Sequence, residues 1–275
     1  MSKRSRTKPV LSIVMVIFGL VFILPFFFLV LNVFKPFAEI LTSFASFPKT
    51  LYLGNLIHVW NIMSYPRVFT NSVIICGISV AGTVIASALA GYKLQREARR
   101  LSRVIYYLFI FGMIIPFPVL MVPTLQLMKS LGTTDSLLGV SLLYIALNVS
   151  FGVFVIYGFT KSIPIEIEEA AIIDGCPPFG LFWRVVFPLL TPATVTLTVL
   201  YLLWIWNDFV VAYLMLNKRE LRTITLNQWM FVGEHSIEWD NFITSLVLST
   251  LPIILFYIFA QNRIQKGLTL GSLKG

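Results

Sequence analysis

Val10-Leu-Ser-Ile-Val-Met-Val-Ile-Phe-Gly-Leu-Val-Phe-Ile-Leu-Pro-Phe-Phe-Phe-Leu-Val-Leu-Asn-Val-Phe34 decides the fold class. Wound as an α-helix at 1.5 Å per residue, it reaches about 37 Å. That exceeds the ~30 Å hydrocarbon core of a bilayer. Lys3, Arg4, Arg6 and Lys8 precede it as they would a secretory signal, but the run is too long and carries no small-residue cleavage site, so it reads as an uncleaved first span. Further apolar runs of spanning length cover 69–92, 104–128, 137–159, 188–216 and 242–261. Lipid offers the backbone no hydrogen-bond partners, and the alternation of barrel strands is absent, so each run should be a helix. The expectation is an all-α integral membrane protein with six transmembrane helices.

Composition agrees. Of 275 residues 57% are hydrophobic and 12% charged, against about 25% charged in a soluble domain. The mean hydropathy is +0.87. A net charge of +9 would suit a nucleic-acid partner only if the basic residues shared a solvated face. Here they sit in short loops between apolar runs, as topology signals do. With the N-terminus in the cytoplasm, fourteen Lys and Arg fall inside and seven outside, so the basic excess supports an N-in, C-in orientation. Cys76 in an apolar run and Cys176 in a polar loop suggest neither a disulfide nor a metal site, and His58 and His235 are isolated in outward loops.

Within the spans, Gly77, Ala81, Gly82, Ala86, Ala90 and Gly91 line the second run with small side chains that let helix backbones approach closely. Pro116, Pro118 and Pro123 interrupt the third, freeing carbonyls and bending it.

Residues 161–188 join the fourth and fifth spans on the cytoplasmic side. Pro164 opens a helix, Glu166, Glu168 and Glu169 suit its positive N-terminal end, and Gly175 followed by Pro177 stops it. The reading is a short helix, a sharp turn and a second short helix. Ala170, Ala171, Ile173 and the pair Phe182-Trp183 are expected on its surface, awaiting either a partner or the protein's own bundle at the bilayer interface.

Glu169-Ala170-Ala171, Asp174-Gly175 and Pro188-Leu189 resemble the EAA loop of permease subunits from binding-protein-dependent ABC importers, with Phe187 where leucine is commoner. The similarity extends over nearly the whole chain, least in the first 65 residues, and narrows to the carbohydrate, MalG-like branch. It rests there on Asn71-Ser72, Pro123, Leu131-Gly132, Trp206-Asn207-Asp208-Phe209, Arg222-Thr223 and the ending Gly267-Leu268-Thr269-Leu270-Gly271-Ser272-Leu273-Lys274-Gly275. The resemblance implies a type I importer transmembrane domain over 68–262, after an N-terminal tail, first helix and loop over 1–67 and before a cytoplasmic tail over 263–275. It further implies that Glu168, Glu169, Ala170, Ala171, Asp174, Gly175 and Pro188 form the ATPase-coupling loop, with Gly267, Gly271, Lys274 and Gly275 as an ATPase-contacting tail. The expected partners are a second homologous permease, two cytoplasmic ATP-binding subunits, an extracytoplasmic solute-binding protein, a carbohydrate and membrane lipid. Bacterial or archaeal plasma membrane follows. No phosphate-cradling loop occurs in this chain, so ATP and magnesium belong to another subunit.

Asp208 is the one acidic residue inside a proposed span, and an ionisable group there is costly enough to mark a functional candidate. Trp204, Trp206 and Asn207 could share a polar cavity with it, stacking on sugar faces and bonding hydroxyls. The alternatives are an outer-interface position or pairing with the second permease. An ion-coupled carrier would ordinarily need more intramembrane ionisable groups, and a membrane enzyme a cluster of nucleophile, acid or metal ligands. A permease for a polyol or glycerol phosphate is the nearer alternative.

Overall fold

A computed structural model describes residues 7–97, 99–233 and 236–272, with side chains described from residue 11 to residue 261 of that set. His235, Lys274 and Gly275 lie outside the described residues, while Gly267 and Gly271 fall on the backbone of the last helix. The elements are α1 (Thr7–Val33), α2 (Phe37–Thr42), α3 (Gly54–Ile62), α4 (Tyr65–Arg96), α5 (Arg100–Ile114), α6 (Phe117–Ser130), α7 (Leu137–Thr160) and α8 (Ile165–Ile173). They continue with α9 (Pro178–Leu189), then α10 (Thr191–Asn207), α11 (Val210–Met215), α12 (Ile224–Gln228) and α13 (Trp239–Ser272).

Four helices, α1, α4, α7 and α13, are each long and apolar enough to cross a membrane unbroken. The third and fifth apolar runs are not straight rods. α5 and α6 meet at 105°, and α9 and α10 at 73°, so the count of six holds with each bent pair taken as one span. The first corner follows from its prolines: Ile115 is extended, at φ −79° and ψ 116°, as a residue before proline prefers. Pro116 then caps α6 with Pro118 in its first turn.

The chain divides into two compact units, Met1–Pro66 with Asn227–Pro252 and Arg67–Leu226 with Ile253–Gly275. In the first, Val33, Ile40 and Ile243 form a small apolar core. Lys35, just past α1, is fully buried. Its Nζ donates to the carbonyls of Ser43 (2.9 Å) and Phe44 (3.0 Å), and Asn55 Nδ2 donates to the Lys35 carbonyl (2.8 Å). The amine thus ties down the turn that follows the first span. Burial lowers its pKa, and the carboxylate of Glu39 opposes that.

In the second unit α7 is the central strut, flanked by α4, α5 and α10. Of the small residues of α4, Gly82 and Gly91 face it, while Gly77 and Ala81 are exposed: a Cβ placed on Gly91 would lie 2.8 Å from Ile156 Cβ and 3.0 Å from the Val153 carbonyl. Gly152 of α7 answers from the other side, where a Cβ would meet Ser87 Cβ at 2.6 Å and Tyr201 Oη at 2.7 Å. Ser79 and Ser87 of α4 donate to the carbonyls of Ser141 and Val149. Hydrogen bonds and backbone-close packing replace a hydrophobic drive that lipid does not supply.

At one end of this unit Asp135 Oδ1 accepts from the backbone amides of Asn217 (2.6 Å) and Lys218 (3.1 Å), pinning the α6–α7 loop to the segment after α11. The Lys218 amide, with that of Asn217, holds the carboxyl below its ordinary 3.8, against the opposing effect of its partial burial.

Gly91→Leu should overpack the α4–α7 seam and cost about 1–3 kcal/mol, read as a lower Tm in detergent. Gly77→Leu, where a Cβ meets nothing within 4 Å, should leave Tm near the parent value. The Asp135 contribution has the sign of a depressed carboxylate. It is fully present above the unfolded pKa near 3.8 and fades as pH falls through the lower native value. Asp135→Asn should therefore flatten the acid limb of a stability-versus-pH curve.

Candidate functional site

Two constellations in the second unit gather the candidate site residues. The first is the elbow between α7 and α10. Pro164 caps α8, which ends at Ile173, and Gly175 sits at φ +83°. The Gly175 amide donates to the Ile172 carbonyl (2.9 Å) and the Cys176 amide to that of Ala171 (3.0 Å). This is the Schellman arrangement, which needs a left-handed residue after the helix, a conformation glycine adopts without steric cost. Pro177 then caps α9.

Each side chain expected in the elbow can now be placed. Glu169 and Ala170 are exposed, Ala171 is half-buried, and Asp174 and Gly175 are exposed at the turn. Ile173 is 84% exposed. Pro188 lies near the end of α9, and its carbonyl accepts from Thr191 Oγ1 (2.6 Å) across the bend to α10. Glu168 alone points inward. Its carboxylate receives Tyr92 Oη at 2.8 Å, Arg96 Nε at 2.8 Å and Arg96 Nη2 at 2.7 Å.

The expected exposure of Phe182 and Trp183 is not found. Phe182 is buried and Trp183 half-buried. Phe182 packs on Tyr92, with ring centroids 5.7 Å apart, and meets Trp183 edge-on at 4.9 Å. The cause is the widened π-helical turn over Leu181–Val186, which shifts side-chain directions from those of a regular helix. Phe179, unremarked in the sequence, takes the outward place at 78% exposed. Ile173 and Phe179 thus flank the turn as the apolar surface of the elbow.

The second constellation is a cavity of about 420 Å3 lined by residues of α5, α6, α7, α10 and α11, among them Tyr144, Asn148, Ser150, Trp204 and Asp208. Asp208 breaks the fifth run: it is extended, at φ −71° and ψ 131°. Its Oδ1 accepts from the Val211 amide (2.8 Å) and from Tyr144 Oη (2.7 Å). One oxygen thereby satisfies the start of α11 and ties it to α7.

Trp204, one helical turn before Asp208, shares the cavity and packs against Phe151 and Tyr201. Trp206 and Asn207 do not line it. Trp206 is buried, edge-on to Phe69 at 6.2 Å, and Asn207 is exposed with its amide bonded back to the Leu203 carbonyl. Tyr144 and Asn148, absent from the sequence reading of the site, are four apart on α7, as Trp204 and Asp208 are on α10 and its cap; that spacing was the available signal.

The chain belongs to the family of binding-protein-dependent transport system inner membrane components, whose model matches residues 82–270. It is a multi-pass membrane transport subunit and not an enzyme, as the EAA resemblance implied.

The chain is 35% identical over 269 residues to the probable starch degradation products transport system permease protein AmyC of Thermoanaerobacterium thermosulfurigenes, covering 97% of each chain. It is 29% identical over 262 residues to the multiple sugar-binding transport system permease protein MsmG of Streptococcus mutans serotype c, covering 93% of each. Its fold matches, at a TM-score of 0.79 and 20% identity, a chain in the crystal structure of a bacterial ABC transporter involved in the import of the acidic polysaccharide alginate. That match covers 95% of this chain and 99% of the other.

Asp208→Ala removes an acceptor shared by two donors and should cost about 1–3 kcal/mol, read as a fall in Tm of the purified protein. Asp208→Asn keeps an acceptor oxygen and should recover most of that loss. Equal loss in both would assign the effect to the charge instead of the hydrogen bonds.

Proposed function

We propose that this chain forms one half of the translocation pathway of an ATP-driven carbohydrate importer, working by alternating access in the bacterial inner membrane. The observation that carries the proposal is the elbow: a glycine-capped turn presents Glu169, Ala170, Ile173 and Phe179 to a partner, while its other face is fastened to the bundle. An exposed apolar pair flanking a rigid turn is a surface that fits a cleft in another protein. In an N-in, C-in orientation the elbow faces the cytoplasm, where two ATP-binding subunits holding ATP and magnesium would receive it. Glu169, Ala170, Ala171, Asp174 and Gly175 are the coupling residues in this reading. The tail bearing Gly267, Gly271, Lys274 and Gly275 is a second contact with the same subunits.

The transport domain is assigned to 68–262, a second homologous permease supplies the other half of the pathway, and an extracytoplasmic solute-binding protein delivers the sugar. The sugar assignment rests on relatives described as permeases for starch degradation products, for multiple sugars and for melibiose, raffinose and stachyose. The cavity at Asp208 suits that ligand class, with Trp204 as a stacking face and Asn148, Ser150 and Asp208 as polar groups.

Affinity purification from the native membrane should recover a second permease and a nucleotide-binding subunit, with ATP hydrolysis stimulated by the sugar-loaded binding protein. A stable, active complex without an ATPase would overturn the reading. Gly175→Ala meets no neighbour within 4 Å, so its penalty is the left-handed backbone alone, about 1–2 kcal/mol. It should reduce ATP-coupled uptake in a normally assembled complex, whereas Gly175→Asn should be better tolerated.

A further inference from the structure

The exposed face of the elbow accounts for Glu169, Ala170, Ile173 and Phe179, and leaves Glu168 without a part in it. Glu168 is turned the opposite way, into a contact built from three other groups. Its side chain is 7% exposed and that of Arg96 15% exposed. Arg96 approaches one carboxylate oxygen with both Nε and Nη2, while Tyr92 Oη donates to the other. Arg96 Nη2 also donates to the Ile163 carbonyl at 2.8 Å, just before α8 begins. Tyr92 then packs on Phe182 from the far limb of the elbow.

Tyr92 and Arg96 are four apart on α4, so a single helical face at the end of that helix grips both limbs of the elbow, α8 through Glu168 and α9 through Phe182. A charge pair this withdrawn from water is costly to separate, since each partner left alone would remain a buried, uncompensated charge. Three other charged side chains stand near this helix end. Glu97 pairs with Lys93 at 3.5 Å and with Arg99 at 3.1 Å; the two basic side chains are exposed and already engaged by Glu97, so they do not compete for Glu168.

We propose that Tyr92, Arg96 and Glu168 form a clamp that makes α4 and the elbow one moving body, and that Glu168 is a positioning residue of the coupling step, acting toward the bundle and not toward the ATPase. The inference rests on the elbow being the coupling element. With the clamp closed, displacement of the elbow carries α4 with it, and through the tight seam at Gly91 and Gly152 it carries α7. With the clamp open, the elbow would swing on the 161–164 linker and α4 would stay behind.

The test uses the assembled complex in proteoliposomes, with Cys76 and Cys176 replaced and spin labels at Lys93→Cys on α4 and Ile173→Cys on the elbow. With the clamp intact, the label-to-label distance should be narrow and the same in the nucleotide-free and ATP–vanadate-trapped states. In Glu168→Gln and Arg96→Met it should become nucleotide-dependent, and the charge swap Arg96→Glu with Glu168→Arg should restore a single distance. A merely structural role would shift both states equally. Should one single variant fail to assemble, the other and the swap carry the comparison.

Distances in assembled Glu168→Gln and Arg96→Met complexes that stay as in the parent in both states would overturn the clamp. Cross-linking from Ile173→Cys separates this from failure of the coupling reading itself. If the cross-link to a nucleotide-binding subunit forms while the variants behave like the parent, the clamp alone falls. If no such cross-link forms in the parent complex, the coupling reading falls and takes the clamp with it.

Discussion

Hydrocarbon provides no partner for a free amide or carbonyl, and the described breaks within the apolar runs are shaped by that constraint. Where the fifth apolar run breaks, Asp208 supplies from its side chain the acceptor that the interrupted helix lacks for Val211. Where the third run turns through 105°, prolines remove amides that would otherwise need acceptors, and Ile115 takes the extended conformation that proline favours. At the bend between α9 and α10, Thr191 closes back onto the Pro188 carbonyl, and the Leu190 amide reaches the Val186 carbonyl. These breaks fall beside the cavity and at the end of the elbow.

Asp208 shows how one residue meets two demands. A carboxylate in a spanning segment is expensive, and the sequence alone marks it for function. The structure accounts for one of its oxygens by the Val211 amide and the Tyr144 hydroxyl, a structural duty. Its place on the cavity wall beside Trp204 and Asn148 gives the same residue a second face. The structural duty fixes the orientation that any ligand duty requires, since a side chain held by two donors presents a defined surface.

Much of this was legible from residue types whose meaning is local. Pro164, Gly175 and Pro177 dictate a helix, a sharp turn and a second helix, and the structure has each in its expected place, the turn being made by Gly175 at positive φ. The small residues of the second run announced close packing, which holds at Gly91, set against Ile156, but not at Gly77, where a Cβ would meet nothing within 4 Å. What was not legible depends on register or on distant neighbours. Phe182 and Trp183 look exposed on a regular helix, but the π-helical turn directs Phe182 onto Tyr92, some ninety residues earlier in the chain. Trp206 stands only two residues before Asp208 in sequence yet lies round the helix from it, whereas Trp204, a full turn away, shares its face. Nearness in sequence misled there; the helical repeat would not have.

The elbow and the cavity are joined by continuous helix on both sides. α7 enters the elbow at Thr160 and α10 leaves it at Thr191. The sixteen residues of α7 between Tyr144 and Thr160 span about 24 Å at 1.5 Å per residue, and the Tyr201 hydroxyl bonds the Asn148 carbonyl, stitching α10 to α7 beside the cavity. A force applied at the elbow therefore needs no chain of loosely packed intermediates to reach the polar residues, because the two helices that carry it also form the cavity wall. Close-packed interiors shift between discrete arrangements and do not deform continuously. In the proposed importer, a displacement delivered along these struts would reach Tyr144 and Asn148, which line the cavity with Asp208.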